Sequence, residues 1–347
     1  MFISQSKNYF ILFSVFIMFK VAVVIPALNE ERFISQCLDS VIAQSYPLQD
    51  MDIMVVDGGS KDKTCEIVER YHKKYDNIRL LNNSRKIQSI AFNIGVANSS
   101  APFIVRLDAH VLYNKNYIEL CIKRLEEDEN RGNVGGMCKI VAQNNSIMAE
   151  TNAILNYSKF GIGGASFRVG AEAGPVDTVP FGAFRRIVLE QIGGMREDLP
   201  RGEDNEINSR IKKNGYEIFF DPNIVSTYYA RATFKASAKQ MYANGESIGI
   251  LYYIDKNAIG LRHLVPVIFV LGVIGGAFLS LFWHPITWLY LAGLSLYFIC
   301  DLLASVMAAA KYGWKFLFPL FILFFMVHMS YGWGTIRGLM KRKYTVK

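Results

Sequence analysis

Apolar and polar positions change rhythm several times along these 347 residues. Residues 21–26, VAVVIP, form a short unbroken apolar run, the pattern of a strand buried on both faces. In residues 28–45, Phe33, Ile34, Cys37, Leu38, Val41 and Ile42 recur on one helical stripe. Asn29 is placed to cap that helix, with Glu30 and Glu31 in its first turn. MDIMVVD (51–57) predicts a second buried strand, GGSKD a turn, and Ile67, Val68 and Tyr71 a second helix. NIRLLN (77–82) and KIQSIAFNIGVANSS (86–100) repeat the pair, and FIVRLD (103–108) with 114–130 repeats it once more. Four strand–helix alternations predict an α/β fold, a mostly parallel sheet with helices on both faces. Ligands of such sheets sit beyond the strands' carboxyl ends. Pro26, Ala27 and Glu30, then Asp57, then Asp108 and His110 fall at those ends.

The rhythm breaks after Arg262. Residues 264–282, 286–309 and 316–335 are long and apolar enough to cross a bilayer, with WHP as a tight turn between the first two. Gly272, Gly275 and Gly276 would allow close helix contact there, and Asp301, inside the second span, is expected to face its helical neighbours. Residues 231–263 read as amphipathic helices on the membrane surface, with Tyr242, Ile250, Leu251, Tyr252 and Tyr253 beside lysines. The apolar extension 1–19 is too short to span. It fits either a surface anchor or a stretch upstream of a start at Met18. Three crossings would put the basic tail RGLMKRK on the side opposite the α/β part, against the positive-inside tendency if that part is cytosolic, unless one segment is re-entrant or interfacial.

Composition supports this division. The chain is 51% hydrophobic with a net charge of +8, and its basic residues flank the apolar region, which fits an anionic membrane surface rather than nucleic acid. The five cysteines have no metal or disulfide spacing and are expected to pack as small hydrophobes. The first turn, PALNEE, lacks the glycines of a dinucleotide fingerprint, and no P-loop occurs.

In extended backbone, residues two apart share a side, so Asp108 and His110 are expected to face one ion. Carboxylate plus imidazole suits Mn2+ or Mg2+, and two protein ligands suit an ion shared with a substrate diphosphate. A bare DxH also arises as a helix cap beside a surface histidine.

The segments VVIPALNEERFISQCLDSVIAQSYP, DIMVVDGGSKDKT, SIAFNIGVANS and RLDAH together resemble family 2 glycosyltransferases of the GT-A fold over about residues 20–230. They are most similar to exopolysaccharide glucosyltransferases of the succinoglycan type, which also carry DAH where relatives carry DxD. The resemblance implies a nucleotide-diphospho-sugar donor, with Pro26, Ala27 and Glu30 near the nucleoside, Asp57 at the base, and Asp108 with His110 at the metal and diphosphate. Many relatives have DDGS where this chain has Gly58, so the base contact rests on Asp57 alone. In GEDNEINSRIKK, Glu203 and Asp204 open a helix, which dipole complementarity alone would explain. The resemblance implies instead that Asp204 is the base on the acceptor hydroxyl and Glu203 orients it. It also sets Arg185 and Arg186 of GAFRR on the acceptor side, against a lipid diphosphate, with a surface salt bridge as the equal alternative. The expected activity is an inverting, metal-dependent transfer to a polyprenyl-diphosphate-linked glycan at the cytosolic face of the plasma membrane, in cell-surface polysaccharide assembly. Transfer to polyprenyl phosphate and an inactive nucleotide-sugar binder are the alternatives. The QxxRW motif of processive synthases is absent.

Overall fold

The computed structural model describes residues 19–341; the apolar extension and the last six residues of the basic tail lie outside the described residues. Chain order begins β1 (Val21–Ala27), α1 (Ile34–Ile42), β2 (Met51–Asp57), α2 (Thr64–His72), β3 (Ile78–Asn82), α3 (Gln88–Ala97), β4 (Phe103–Arg106), β5 (Val111–Tyr113) and α4 (Tyr117–Glu126). It continues with β6 (Arg131–Ala142), α5 (Ile147–Leu155), α6 (Lys159–Ile162), α7 (Ser166–Val169), β7 (Gly174–Pro175), β8 (Ala183–Arg185), α8 (Arg186–Ile192), α9 (Glu203–Lys213) and β9 (Glu217–Ala230). Four long helices close the described chain: α10 (Phe234–Ile254), α11 (Val265–Ser280), α12 (His284–Tyr312) and α13 (Leu317–Leu339).

The strands make one nine-stranded sheet in the order β3-β2-β1-β4-β8-β6-β9-β5, with β7 added on β9. The first four are parallel, as the alternation predicts. Along β1 the pleat sends Val21, Val23 and Ile25 into one core with Ile34, Leu38 and Tyr117, and Ala22 and Val24 into the other with Phe92, Val188 and Ile207. Helices therefore cover both faces. Beyond β4 the sheet is mixed: β8 runs antiparallel to β4 and β6, while β6 and β9 pair in parallel.

Some boundaries move. Asn29 does not cap α1, which begins five residues later. Its backbone is left-handed (φ 57°), its N–H donates to Ser60 Oγ at 2.8 Å, and its Oδ1 accepts from Lys61 N at 2.9 Å. The residue is spent on joining the loops after β1 and β2. The strand expected to reach Asp108 stops at Arg106, because the chain turns there, with Val111 N donating to Asp108 O at 3.2 Å. The loop GIGGASFRVG is mostly built into α6 and α7. Cys37, Cys121 and Cys138 are buried thiols, Cys65 is half-buried, Cys300 is exposed on α12, and no disulfide occurs among the described residues.

Three C-terminal helical segments, Leu261–Ser280, His284–Tyr312 and Trp314–Leu339, are long and apolar enough to cross a membrane. They are not equivalent. The α11–α12 hairpin presents Leu281, Phe282 and Trp283 outward at 61–78% exposure. By contrast, one face of α13 rests on the rest of the protein, while Phe318 and Trp333 on it stay exposed. Lys315, just before it, pairs with Glu150 of α5 at 2.7 Å, and Phe316, Leu320 and Phe324 pack with Ile154 and Leu155. Past its end, Lys341 pairs with Glu246 of α10 at 3.0 Å.

In the 231–263 segment, α10 buries Ile250 and Leu251, leaves Tyr252 exposed, and lies against α13 through two glycine pairs. A Cβ at Gly245 would stand 1.9 Å from the Tyr331 carbonyl oxygen, and one at Gly249 2.3 Å from that of Thr335. Reciprocally, a Cβ at Gly334 would meet Tyr242 O at 2.1 Å, and one at Gly338 would meet Glu246 O at 2.2 Å. Each helix thus carries a GxxxG step that lets backbones touch. Of the glycines expected to do this, Gly272 and Gly275 face open space and only Gly276 packs, on Tyr290. Asp301 is buried, as expected, and Ser305 Oγ donates to its Oδ1 at 3.3 Å.

Candidate active site

The carboxyl ends of β1, β2 and β3 lie side by side, with Ala27 opposite Asp57 and Asp57 opposite Asn82. The loops that follow are sewn together: Glu30 N donates to Thr64 Oγ1 at 2.8 Å and Lys63 N to Glu31 Oε2 at 3.1 Å. Asp57 is buried and caps its own turn, its Oδ2 accepting from Gly59 N at 2.7 Å and Ser60 N at 2.9 Å. Its role here is to shape the loop. A Cβ at Gly58 would come no closer than 3.4 Å to Leu28, so the backbone tolerates a side chain there. The missing second acid is a feature of this chain's chemistry, not a steric demand.

The largest cluster forms around a residue that sequence reading did not single out. Arg106 is the last residue of β4, and its side chain is only 4% exposed. Its guanidinium meets Asp108 Oδ1 at 3.3 Å, Glu203 Oε1 at 3.3 Å and Asp204 Oδ1. One cation thus gathers three carboxylates from two elements about 98 positions apart. The signal was present: an arginine inside FIVRL interrupts a strand otherwise buried on both faces. Burial works against its charge, but the three acids outweigh burial and hold Arg106 above its ordinary value. With three negatives to one positive, the cluster is short of cations. Although the Asp204 side chain is 41% exposed, crowding by protein around its carboxyl raises its pKa to about 7, and Glu203 and Asp108 add to the rise against the pull of Arg106.

Asp204 stands in the first turn of α9, which runs acidic to basic along its dipole. The helix starts from Gly202, whose left-handed backbone (φ 85°) packs against Ser247 and Leu251 of α10. The acidic end of α9 is thereby fixed by the helix that lies on α13.

Among the described residues, His110 and Asp108 each keep one side-chain ligand atom without a hydrogen-bond partner. His110 Nδ1 is 3.0 Å from Glu30 Oε1, and its ring meets Tyr228 edge-on at 5.6 Å. Burial lowers the imidazole pKa, but Glu30 and Asp108 more than compensate and hold it above the ordinary value. Asp108 Oδ1 accepts from Gln88 Nε2 at 2.9 Å. His110 Nε2 and Asp108 Oδ2 remain as atoms that could ligate an ion, and Glu30 supports the His110 ring as a carboxylate supports a ligating histidine. No cluster of three His, Cys, Asp or Glu side chains suited to a metal occurs among the described residues, so an ion here would need ligands from a substrate.

Arg185 and Arg186 do not join this cluster. Because β8 is antiparallel to β4, Arg185 pairs with Phe103, at the opposite end of the sheet from Asp108. Arg185 donates to the carbonyls of Leu125 and Asp128, and Arg186 Nε to Ala101 O at 2.7 Å. They hold the C-terminal ends of helices and loops, and the acceptor-side expectation for them is corrected. Of the remaining histidines, His72 meets Ile78 O at 2.6 Å, His263 meets Tyr331 Oη at 2.7 Å and His328 meets Phe160 O at 2.7 Å.

Comparison with known proteins identifies the family and the fold. Residues 22–193 match the family model "Glycosyl transferase family 2". A Methanococcus voltae protein, dolichyl N-acetyl-alpha-D-glucosaminyl phosphate 3-beta-D-2,3-diacetamido-2,3-dideoxy-beta-D-glucuronosyltransferase, is 28% identical over 334 residues, covering 94% of this chain and 99% of its own length. Succinoglycan biosynthesis protein ExoA of Rhizobium meliloti is 30% identical over 249 residues, covering 70% of this chain and 73% of its own. Among solved structures, the mannosyltransferase PcManGT from Pyrobaculum calidifontis, in complex with GDP-Man and Mn2+, aligns over 94% of this chain and 88% of that one, with TM-score 0.58 and 18% identity, which shows a shared fold. The chain belongs to glycosyl transferase family 2 and is a glycosyltransferase with the GT-A fold.

Proposed function

We propose that this enzyme moves a sugar, with inversion, from a nucleotide-diphospho-sugar to a lipid-linked glycan during cell-surface glycan assembly. The observation that carries the reading is the convergence of Asp108 and Asp204 on Arg106, which sets a diphosphate-side group and an acceptor-side base at one point. Asp204 takes the proton of the acceptor hydroxyl as the new bond forms, and Glu203 and Arg106 position it. A single base opposite the leaving group gives direct displacement, without a covalent intermediate. Asp108 Oδ2 and His110 Nε2 are the atoms that would hold Mn2+ or Mg2+, which when bound takes up charge on the departing diphosphate. Glu30 keeps the His110 ring turned to that task. Asp57, with Pro26 and Ala27, shapes the floor on which the nucleoside would lie. The Methanococcus relative is named for a dolichyl phosphate sugar acceptor and aligns nearly end to end, which favours a lipid-linked sugar over bare polyprenyl phosphate. The Mn2+ and GDP-Man in the Pyrobaculum enzyme support a divalent ion and a nucleotide sugar in this fold.

The test is a panel of nucleotide sugars scored by thermal stabilisation. The cognate donor should raise the wild-type Tm only when Mn2+ or Mg2+ is present, and His110→Ala should remove most of that metal-dependent gain. Equal stabilisation of both proteins would sink the ion site.

In the proposed membrane arrangement α11 and α12 enter the bilayer as a hairpin, while α13 lies along its surface under the catalytic domain. The ion pairs at both ends of α13, Lys315–Glu150 and Lys341–Glu246, support this, because both partners sit on the same body. The arrangement leaves the basic tail on the catalytic, cytosolic side and removes the conflict with the positive-inside tendency. A tag appended after residue 347 should then be cleaved by protease from the same side as the catalytic domain in sealed inverted vesicles. Cleavage from opposite sides would restore three crossings.

A further inference from the structure

A polar cleft opens beside the helix that carries Asp204. Asn205, Ser209 and Lys212 share one face of α9, and they line a cavity of about 140 Å3 with Thr178, Asn257 and His263. Lys212 and Thr178 also line its larger neighbour, of about 470 Å3, together with Ser166 of α7. That volume is in the range of small-molecule sites. The α9 face begins at Asn205, the residue after Asp204. Gly260 and His263 form another edge, where the first apolar segment starts at Leu261. The cleft therefore lies between the proposed base and the point where the chain turns toward lipid.

Its charges are answered within the chain. Asp177 lines both cavities, pairs with Lys212 at 2.8 Å and also faces Arg262. What is left for a ligand is neutral. The side-chain amides of Asn205 and Asn257 have no hydrogen-bond partner among the described residues. Thr178 ends a directed chain of buried amides: Asn133 Nδ2 donates to Asn208 Oδ1 at 2.8 Å, and Asn208 Nδ2 to Thr178 Oγ1 at 2.9 Å. Because Thr178 Oγ1 accepts there, its own proton is left to donate. Ser209 Oγ donates to Asp255 Oδ2 at 2.7 Å, which leaves its lone pairs to accept. Asp255 Oδ1 accepts from Asn257 N at 2.9 Å, so one carboxylate ties the α9 wall to the turn Lys256–Ala258 before any ligand arrives. An anion would meet Asp177 here, and an apolar ligand would strand the two amides without partners. A sugar hydroxyl, which both donates and accepts, satisfies them.

We propose that this cleft is the acceptor-sugar subsite, in which Asn205, Asn257 and Thr178 hold a neutral sugar of the lipid-linked acceptor and present its hydroxyl to Asp204. The lipid leaves at the Gly260 and His263 edge. The subsite lets the enzyme tell a sugar-bearing lipid from a bare polyprenyl phosphate. The assignment rests on the reading of a lipid-linked acceptor given above.

The test uses the full chain in detergent micelles, as wild type and as Asn205→Ala, Asn257→Ala and Ser166→Trp. Thermal-shift titrations give Kd for phytanyl phosphate, for phytanyl phosphate bearing glucose or N-acetylglucosamine, and for the methyl glycosides of both sugars. Tm without ligand reports folding, and uridine and guanosine diphosphate with Mn2+ report the donor side. At least one sugar-bearing lipid should bind the wild type more tightly than phytanyl phosphate does. Each asparagine variant should weaken that binding about fivefold, the worth of one hydrogen bond, and leave phytanyl phosphate and nucleoside diphosphate binding unchanged. Ser166→Trp, whose indole would occupy the larger cavity, should act in the same direction. The subsite is overturned if neither sugar adds to binding, on lipid or as a glycoside. It is equally overturned if asparagine variants with the wild-type Tm hold the sugar-bearing lipid as tightly as the wild type. Asparagine-dependent binding of a methyl glycoside by a protein that ignores every lipid would keep the subsite and overturn the lipid-linked reading instead.

Discussion

Asp204→Asn is expected to lower transfer to the acceptor by about 10²- to 10⁴-fold, the usual contribution of a positioned base, while donor binding stays within twofold or so. Asparagine matches aspartate in shape, and its Oδ1 can still accept from Arg106, so the loss reports the missing base rather than a collapsed cluster. The pH profile gives a second readout. With the Asp204 pKa raised to about 7, the carboxyl is largely protonated below that value and idle as a base. Acceptor turnover by the wild type should therefore rise with pH through about 7 and level off above it, and the residual activity of Asp204→Asn should lack that limb. If the variant turned over acceptor at the wild-type rate, the base would have to be sought elsewhere, with Glu203 first in line.

Arg106→Met should cause the largest loss of stability of any single change near the site. The substitution keeps much of the volume but strips the one cation shared by Asp108, Glu203 and Asp204. Removing one partner from a buried ionic cluster costs about 3–5 kcal/mol, which for a protein of this size lowers Tm by roughly 2–4 °C per kcal/mol. Two companions separate electrostatics from packing. Arg106→Lys retains the charge but not the forked geometry, and should lie between the two. Adding Asp204→Asn to Arg106→Met should recover part of the loss, because one fewer carboxylate is left facing its neighbours. Fully additive losses in the double variant would mean that Arg106 acts only as filler for the space beneath α9. Calorimetry in detergent with nucleotide absent decides it.

The parallel half of the fold could be read from the chain because its strands are continuous apolar runs and its helices carry clean stripes. The runs predicted at 21–26 and 51–57 and the helix at 86–100 fall within a few residues of Val21–Ala27, Met51–Asp57 and Gln88–Ala97. The other half could not, because its order depends on pairings across long separations. Arg131–Ala142 finds Glu217–Ala230, and nothing local in either announces the partner. The same gap misplaced Arg185 and Arg186. Their chemistry was visible, but which end of the sheet they occupy follows only from the antiparallel pairing of β8. As for α13, a run of apolar residues states that a helix avoids water; it does not state whether lipid or protein takes the water's place.

The joint of α10 with α13 has one more consequence. Contacts in which backbone rests on backbone through glycines owe little to the expulsion of water, since there is almost no side chain to desolvate. They depend on dispersion and on weak Cα–H···O contacts, forces that change little between an aqueous and an oily neighbour. That part of the joint should therefore hold equally well whether water or lipid lies beside it, while Met241, Ile248 and Leu251 add an apolar seal around it.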